Sequence, residues 1–445
     1  MNLNAMSKKD LLAACELFAK EIGAERSRTL LDTVFKEKAA RLLAGSNVPT
    51  SVLESSPPTA TSSGQVELTL DQEKSHKKPR TTFDFSKYHT RQIALWIGYF
   101  GGKYLGLCTA GQPKEDKPDE TVEWYLFRAL KRVKLIEPDG SLESWKYSRC
   151  GRTDRGVSGL GQVVSIKVRS TGEAEEMDYS LMLNSNLPED IIVLAWAPVD
   201  VNTKETQLEE VFNARFACKS RTYRYFFRSN NLNLEKMKEA CNLLEGEHDF
   251  RNFCKIDLSN QRSFKRTIES CKILRSEFNP GVSYCQIKGS SFLWHQIRLI
   301  MAVLFHIGAE LEQPSIVSEL LDIDKNPARP SFAMAAELPL LLYGSEYDGL
   351  EWQFSERNIT KIRNKLNQRL GEDLVRCELT QTFLKVLSNP PFPTNIPLDD
   401  IDHIECSSLA KRKKHRPFMK REQCKGVDER KTELKHLPPM DEVDE

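Results

Sequence analysis

The residues best arranged for chemistry form one loop, Arg149-Cys150-Gly151-Arg152-Thr153-Asp154-Arg155-Gly156-Val157-Ser158, where a single carboxylate sits among three arginines. Nearby cations favour the ionised acid, and the glycines let a ligand approach the backbone, so Asp154 is expected as a charged, presented carboxylate. On spacing alone, a turn held by local Arg–Asp pairs is the commoner outcome. A second stretch, Arg221-Thr222-Tyr223-Arg224-Tyr225-Phe226-Phe227, has the two-residue period that puts Arg221, Tyr223 and Tyr225 on one face of a strand. Aromatics among arginines can stack a base while gripping phosphates, with stacking worth about 1–3 kcal/mol per base, although tyrosine in a sheet is more often half-buried core. The third runs from Ser290 to Met301 and opens an apolar helix in which Arg298 is the only permanently charged residue over 289–309. An unpaired buried charge costs several kcal/mol, so Arg298 needs a carboxylate or phosphate, and Asp154 is the natural candidate. Otherwise Arg298 reaches the surface along its stem, and His295 and His306 read as ordinary helix histidines.

Composition excludes several other chemistries. The chain has 445 residues, with 64 Lys+Arg against 63 Asp+Glu and 29% charged residues, enough length for one large domain with appendages. No run approaches the roughly 18 apolar residues that span a bilayer, and residues 1–10 lack a secretory pattern, so no membrane association is expected. The closest two of the 11 cysteines are 13 residues apart, leaving no CxxC pair, and the 8 histidines form no HExxH. A site without metal or cofactor is the expectation.

The net charge of +1 conceals a strong local pattern. Residues 146–169 carry six basic side chains and one acid, residues 215–228 five basic side chains and none, and residues 173–210 between them ten acids and only Lys204. Basic segments separated by an acidic one suit a polyanion groove with a solvated outer face, while plain charged surface remains the simpler account of the counts.

Elements must position these residues. Leu11, Cys15, Phe18 and Ile22 predict a helical appendage over residues 1–45, followed by a Ser/Thr/Pro-rich disordered linker over 46–90. A catalytic domain is expected over 91–350, in two subdomains divided near 200–210, and a C-terminal extension with a basic tail over 351–445. Strands are predicted near 92–99, 161–169, 190–197, 217–228, 267–276 and 282–288, and helices near 119–135, 233–244, 294–309, 314–322 and 360–370. They interleave without strict alternation, which predicts an α+β fold with a largely antiparallel sheet. The run Lys411-Arg412-Lys413-Lys414-His415-Arg416 reads as a nuclear-import signal, an RNA-binding arm or simply a solvated tail.

The loop, continuing into Gly161-Gln162-Val163-Val164, resembles the active-site motif of the TruA family of tRNA pseudouridine synthases. Lys219 to Tyr225 resembles that family's tyrosine-bearing strand, and Phe292 to Ile300 its arginine-bearing helix. Gly246-Glu247-His248-Asp249-Phe250-Arg251-Asn252-Phe253-Cys254-Lys255 and Asn326-Pro327-Ala328-Arg329-Pro330 resemble the eukaryotic branch acting on tRNA uridines 38 and 39. The likeness covers about residues 91–345. Gly159 stands where alanine is usual, and Gly101 where that branch often has tryptophan.

The resemblance implies a pseudouridine synthase fold of two ferredoxin-like halves around a central cleft. It implies isomerisation of uridine in the tRNA anticodon stem-loop without cofactor, by a homodimer of nucleus and cytoplasm. Asp154, Arg152 and Arg298 would be catalytic, with Arg298 paired to Asp154; Tyr223, Arg155 and Arg221 would bind substrate. A related synthase acting at other tRNA positions is the nearest rival. A noncatalytic tRNA-binding protein would not need the carboxylate, and a glycoside or nucleoside hydrolase would usually show a second one.

Overall fold

Apolar periodicity builds the sheet. β1 (His89–Tyr99) sends Ile93, Leu95, Ile97 and Tyr99 to one face and Ala94 to the other, and both faces are buried. The computed structural model describes residues 83–108, 120–173, 175–199, 212–258, 263–387 and 415–436. The appendage expected over 1–45, most of the linker, the subdomain boundary and residues 411–414 of the basic run lie outside the described residues. Residues 83–90, assigned to the linker from their composition, instead form a 3-10 turn (Phe85–Lys87) and the start of β1. Asp84 caps that turn through the Ser86 N–H, a local signal that composition averages away.

Among the described residues, nine strands make one sheet. β2 (Ser148–Arg149) and β3 (Ser158–Ser170) follow β1, and β4 (Ile191–Pro198) completes the first half, with β1 antiparallel to both β3 and β4. The second half holds β5 (Ser220–Arg228), β6 (Gly246–Asp249), β7 (Lys265–Arg275) and β8 (Val282–Gly289). The ninth strand, β9 (Leu340–Glu346), lies between the halves: antiparallel to β5 and parallel to β3, the single parallel pairing among the described strands. The α+β, largely antiparallel expectation holds. β9 escapes sequence reading because its Leu run shows no alternation.

Each half carries its own core. α1 (Val122–Arg132) is capped by Thr121, whose hydroxyl accepts from Trp124 N at 3.2 Å, and buries Leu126 and Leu130 against Leu95, Ile97, Val164 and Ile166. α2 (Tyr179–Asn184) packs beside it. In the second half, α3 (Leu234–Asn242), α4 (Gln296–Gly308) and α5 (Ile316–Leu321) cover β5, β7 and β8, and every residue of α4 is buried. A helix apolar on all sides must be enclosed, so Arg298 enters the core.

The C-terminal extension is tied to this body at several places, among them Trp352 against Trp96, Gln353 bridging Trp196 and Arg369 over Phe100. α6 (Glu356–Leu387), far longer than the helix expected near 360–370, buries Asn358 against Asn184 at 2.8 Å, then runs outward. Farther on, Phe418 stacks on Phe332 with ring centroids 4.6 Å apart, and its N–H donates to Glu312 at 2.7 Å. Phe418 also lies against His306, which is wholly buried on α4 with Nδ1 2.8 Å from the Ala302 carbonyl. α7 (Val427–His436) follows.

Burial, aided by the Arg421 charge and His415, pushes His306 from 6.5 down to about 4. The folded chain thus resists a proton that the unfolded chain accepts, and stability present above pH 6.5 drains as pH falls toward 4. Urea unfolding across that window should show wild type losing about 2–3 kcal/mol more than His306→Gln. Parallel losses in the two proteins would place the acid sensitivity elsewhere.

Candidate active site

The loop carrying Asp154 links β2 to β3 at the seam where β9 joins the halves, Ser158 and Gly159 pairing with Leu341 and Leu342. Its backbone is held from many directions. Cys150 N donates to Val163 O at 2.8 Å, Gln162 Nε2 to Gly151 O at 2.6 Å, and Gly156 N to Tyr104 O at 3.1 Å. Val157 N closes a turn onto Asp154 O at 3.1 Å, and Gly156 takes φ +80°, a region costly for other residues. The buried Tyr99 hydroxyl lies 2.8 Å from Thr153 Oγ1, fixing the residue before the acid.

Both departures from the family pattern have a packing reason. A Cβ on Gly159 would meet the Tyr99 ring at 2.7 Å, and one on Gly101 would overlap the Val157 carbonyl. No tryptophan fits at 101 on this backbone; the backbone itself lies against the loop there.

Asp154 makes no ion pair with a neighbouring arginine among the described residues. Arg149 turns to the buried Glu123 of α1 at 3.0 Å, while Arg152 and Arg155 are exposed. The turn of local Arg–Asp pairs is therefore not what forms. The Asp154 side chain stays 31% exposed, with Oδ2 3.3 Å from His295 Nε2. It is reachable by a ligand and bordered by the exposed Arg152 and Arg155.

Arg298 corrects an expectation. Its Nη2 donates to Glu337 Oε2 at 2.7 Å and its Nε to Ala335 O at 2.8 Å, so its carboxylate partner is Glu337, not Asp154. The irregular segment leading into β9 runs alongside α4, with Ala335 N donating back to Arg298 O at 3.3 Å, and this brings Glu337 to the guanidinium. Glu337 also reaches the loop: a Cβ on Gly156 would lie 2.7 Å from its Cγ. Arg298 thus acts on the loop from behind, through Glu337.

Arg221, expected at the substrate, is a second correction. Its guanidinium is buried and donates to three main-chain carbonyls, Cys150 at 2.8 Å, Arg215 at 3.0 Å and Ser290 at 2.6 Å. A planar fork of donors matches such a cluster of acceptors, and it staples the loop to the segments before β5 and after β8. Tyr223, two residues along β5, lies edge-on to Phe292 at 5.3 Å, beside a bulge between Thr222 and Tyr223 that re-aims the strand. Burial pushes its phenol well above its usual value, so the hydroxyl stays protonated. The Cys150 thiol donates to Cys218 Sγ at 3.6 Å beneath the loop, and the contact with Cys218 together with the Arg221 charge holds the Cys150 thiol below its usual value.

Sequence reasoning missed Glu337, Tyr99 and the role of His295. Glu337 has no local signature, and His295 is not on the helix: it stands just ahead of α4 in a left-handed conformation. Among the described residues, three thiols, Cys241, Cys271 and Cys285, lie within 4.8 Å of one another. They sit in the apolar core, where three thiolates around a divalent ion would bury a net negative charge, and they form no part of the Asp154 site.

Comparison with known proteins points to one family. A family model described as tRNA pseudouridine synthase matches residues 240–348, which include His295, Arg298 and Glu337. The chain is 35% identical over 394 residues to the human tRNA pseudouridine(38/39) synthase, covering 79% of this chain and 78% of that one. It is 44% identical over 289 residues to the yeast tRNA pseudouridine(38/39) synthase, covering 62% of each. The tRNA pseudouridine synthase A of Methanosarcina mazei is 31% identical over 276 residues, 62% of this chain and 93% of that one. Thus the chain belongs to the tRNA pseudouridine synthase family.

Arg221→Lys keeps the charge but loses the fork. The buried Cys150 carbonyl would lose its donor at about 1–3 kcal/mol, and the part-buried Arg215 and Ser290 carbonyls can turn to water, so unfolding free energy should fall by about 1–3 kcal/mol. Turnover should fall more than tRNA affinity, because the loop shifts while the exposed cations remain. A variant with wild-type stability would show that the staple is redundant.

Proposed function

We propose that this chain isomerises uridine to pseudouridine at positions 38 and 39 of the tRNA anticodon stem-loop, with Asp154 as its nucleophile or base. The observation that carries the reading is the half-exposed Asp154 carboxylate on a loop whose backbone is fixed from both halves of the sheet. The reaction breaks the N1–C1′ bond, turns the uracil and joins C5 to C1′, so it needs no redox partner, and one carboxylate can supply the covalent or proton-transfer step. The target uridine first leaves its stack, at a cost of a few kcal/mol. Arg152 and Arg155, exposed on either side of the acid, suit the phosphates of the extruded nucleotide, and Tyr223 suits a stacking role against uracil.

Arg298 serves this chemistry indirectly, by holding Glu337 against the loop. The chain works as a homodimer in this reading. In support, the outer part of α6 leaves Leu370, Leu374, Val375, Leu379 and Phe383 more than half exposed, an apolar surface of the kind that a second copy buries. The basic run around Lys411 fits a protein shared between nucleus and cytoplasm.

Asp154→Ala should abolish pseudouridine formation, read by carbodiimide-primer extension at positions 38 and 39, while tRNA affinity stays within about threefold because phosphate contacts dominate it. Retained activity would remove Asp154 from the chemistry. Light scattering should give twice the 50.9 kDa chain mass, and Leu370→Glu with Leu374→Glu should give a monomer. A wild-type monomer would end the dimer proposal.

A further inference from the structure

His295 is the group at this site that the nucleophile reading leaves without a task. Its backbone has φ +62°, a left-handed conformation that costs a non-glycine residue of order 1–3 kcal/mol, and its side chain caps nothing on α4. The local turn is closed by others: Gln296 Oε1 accepts from Leu293 N at 2.8 Å, and Leu299 N donates to His295 O at 3.0 Å. What the conformation does achieve is to set the imidazole against Asp154, Nε2 to Oδ2 at 3.3 Å, with the ring only 14% exposed. Trp294 lies against the ring at 4.8 Å between centroids, with Lys255 Nζ over the indole at 4.2 Å.

Four charged groups act on the ring. Burial lowers its pKa first, Asp154 opposes that, Arg298 and Lys255 lower it further, and Glu337 raises it. The net direction is down, which leaves a neutral, proton-accepting imidazole next to the acid.

Pseudouridine formation requires such a base. Once C5 has joined C1′, C5 still carries its hydrogen, and C6 is double-bonded to N1. A base removes the C5 proton; the C5–H electron pair becomes the C5=C6 bond, the C6=N1 pair moves onto N1, and N1 takes one proton from solvent. One proton leaves and one returns, so the product is an isomer of the substrate. At that moment the reacting carbon lies where Asp154 met C1′, and His295 borders that position.

We infer that His295 is the base that takes the C5 proton in the last step of the isomerisation. The inference rests on the pseudouridine synthase reading of Asp154. General bases contribute about 10²–10⁴-fold, and a loss of that order in turnover is expected for His295→Gln. The test uses full-length protein and tRNA carrying either uridine or 5-deuterouridine at the target position. Wild type should convert both at similar rates; His295→Gln should be slow, show a normal deuterium isotope effect, retain tRNA affinity and recover in part with added imidazole. His295→Asn, which suits the left-handed backbone, serves as a second variant and should behave alike.

Slow variants without an isotope effect or imidazole rescue would reduce His295 to a structural role and overturn the inference, as would variants of wild-type speed. Failure of wild type itself to form pseudouridine would instead overturn the reading on which the inference rests.

Discussion

Glu337 accepts from the guanidinium of Arg298 on one side and lies across Gly156 on the other, and the geometry of the site depends on this contact. Arg298 belongs to a helix buried along its whole length, so its charge must be answered inside the protein. The answer comes from the segment entering β9, the strand that also joins the two halves of the sheet. Breaking a fully buried pair costs about 3–5 kcal/mol, and less here because Glu337 is 43% exposed. One interaction therefore ties the second-half helix, the strand at the seam and the loop of the first half. Asp154 remains open to a ligand because another carboxylate satisfies the arginine.

The loop illustrates how rigidity and access coexist. Thr153 and Gly156 are buried and hydrogen-bonded through their main chain or side chain, while Arg152 and Arg155 on the same turn face solvent. Glycines at 101, 106, 156 and 159 let neighbouring segments approach where a Cβ would collide. Arg221 closes the arrangement from below, its donors spent on carbonyls. Fixing the backbone from so many sides limits the motion left to the carboxylate, which is how a site is preorganised for charge development in a transition state.

The elements that sequence reading located are those whose periodicity is local. β3, β5, β7, β8 and α4 were legible because alternation or helical spacing of apolar residues follows from which face meets the core. β9 was not: Leu340-Leu341-Leu342 is apolar without alternation, being buried at a seam. The Asp154 loop stood out by composition, and the family motif gave Tyr223 and Arg298 their neighbourhood. The assignment of Arg221 to substrate and of Arg298 to Asp154 failed for one reason, since an arginine's partner is set by what the fold brings near it.

Sequence by itself determined the α+β class, the charged acid on a glycine-bounded loop, the arginine forced inside an apolar helix and the likeness to tRNA pseudouridine synthases. These are properties of residue type and short-range spacing. Tertiary structure alone decided that Glu337 answers Arg298, that Arg221 staples main chain, and that His295 turns left-handed to meet Asp154. Those pairs are separated by up to 141 positions along the chain, as between Asp154 and His295, and only the packing of two half-sheets across β9 brings them within hydrogen-bonding range or contact.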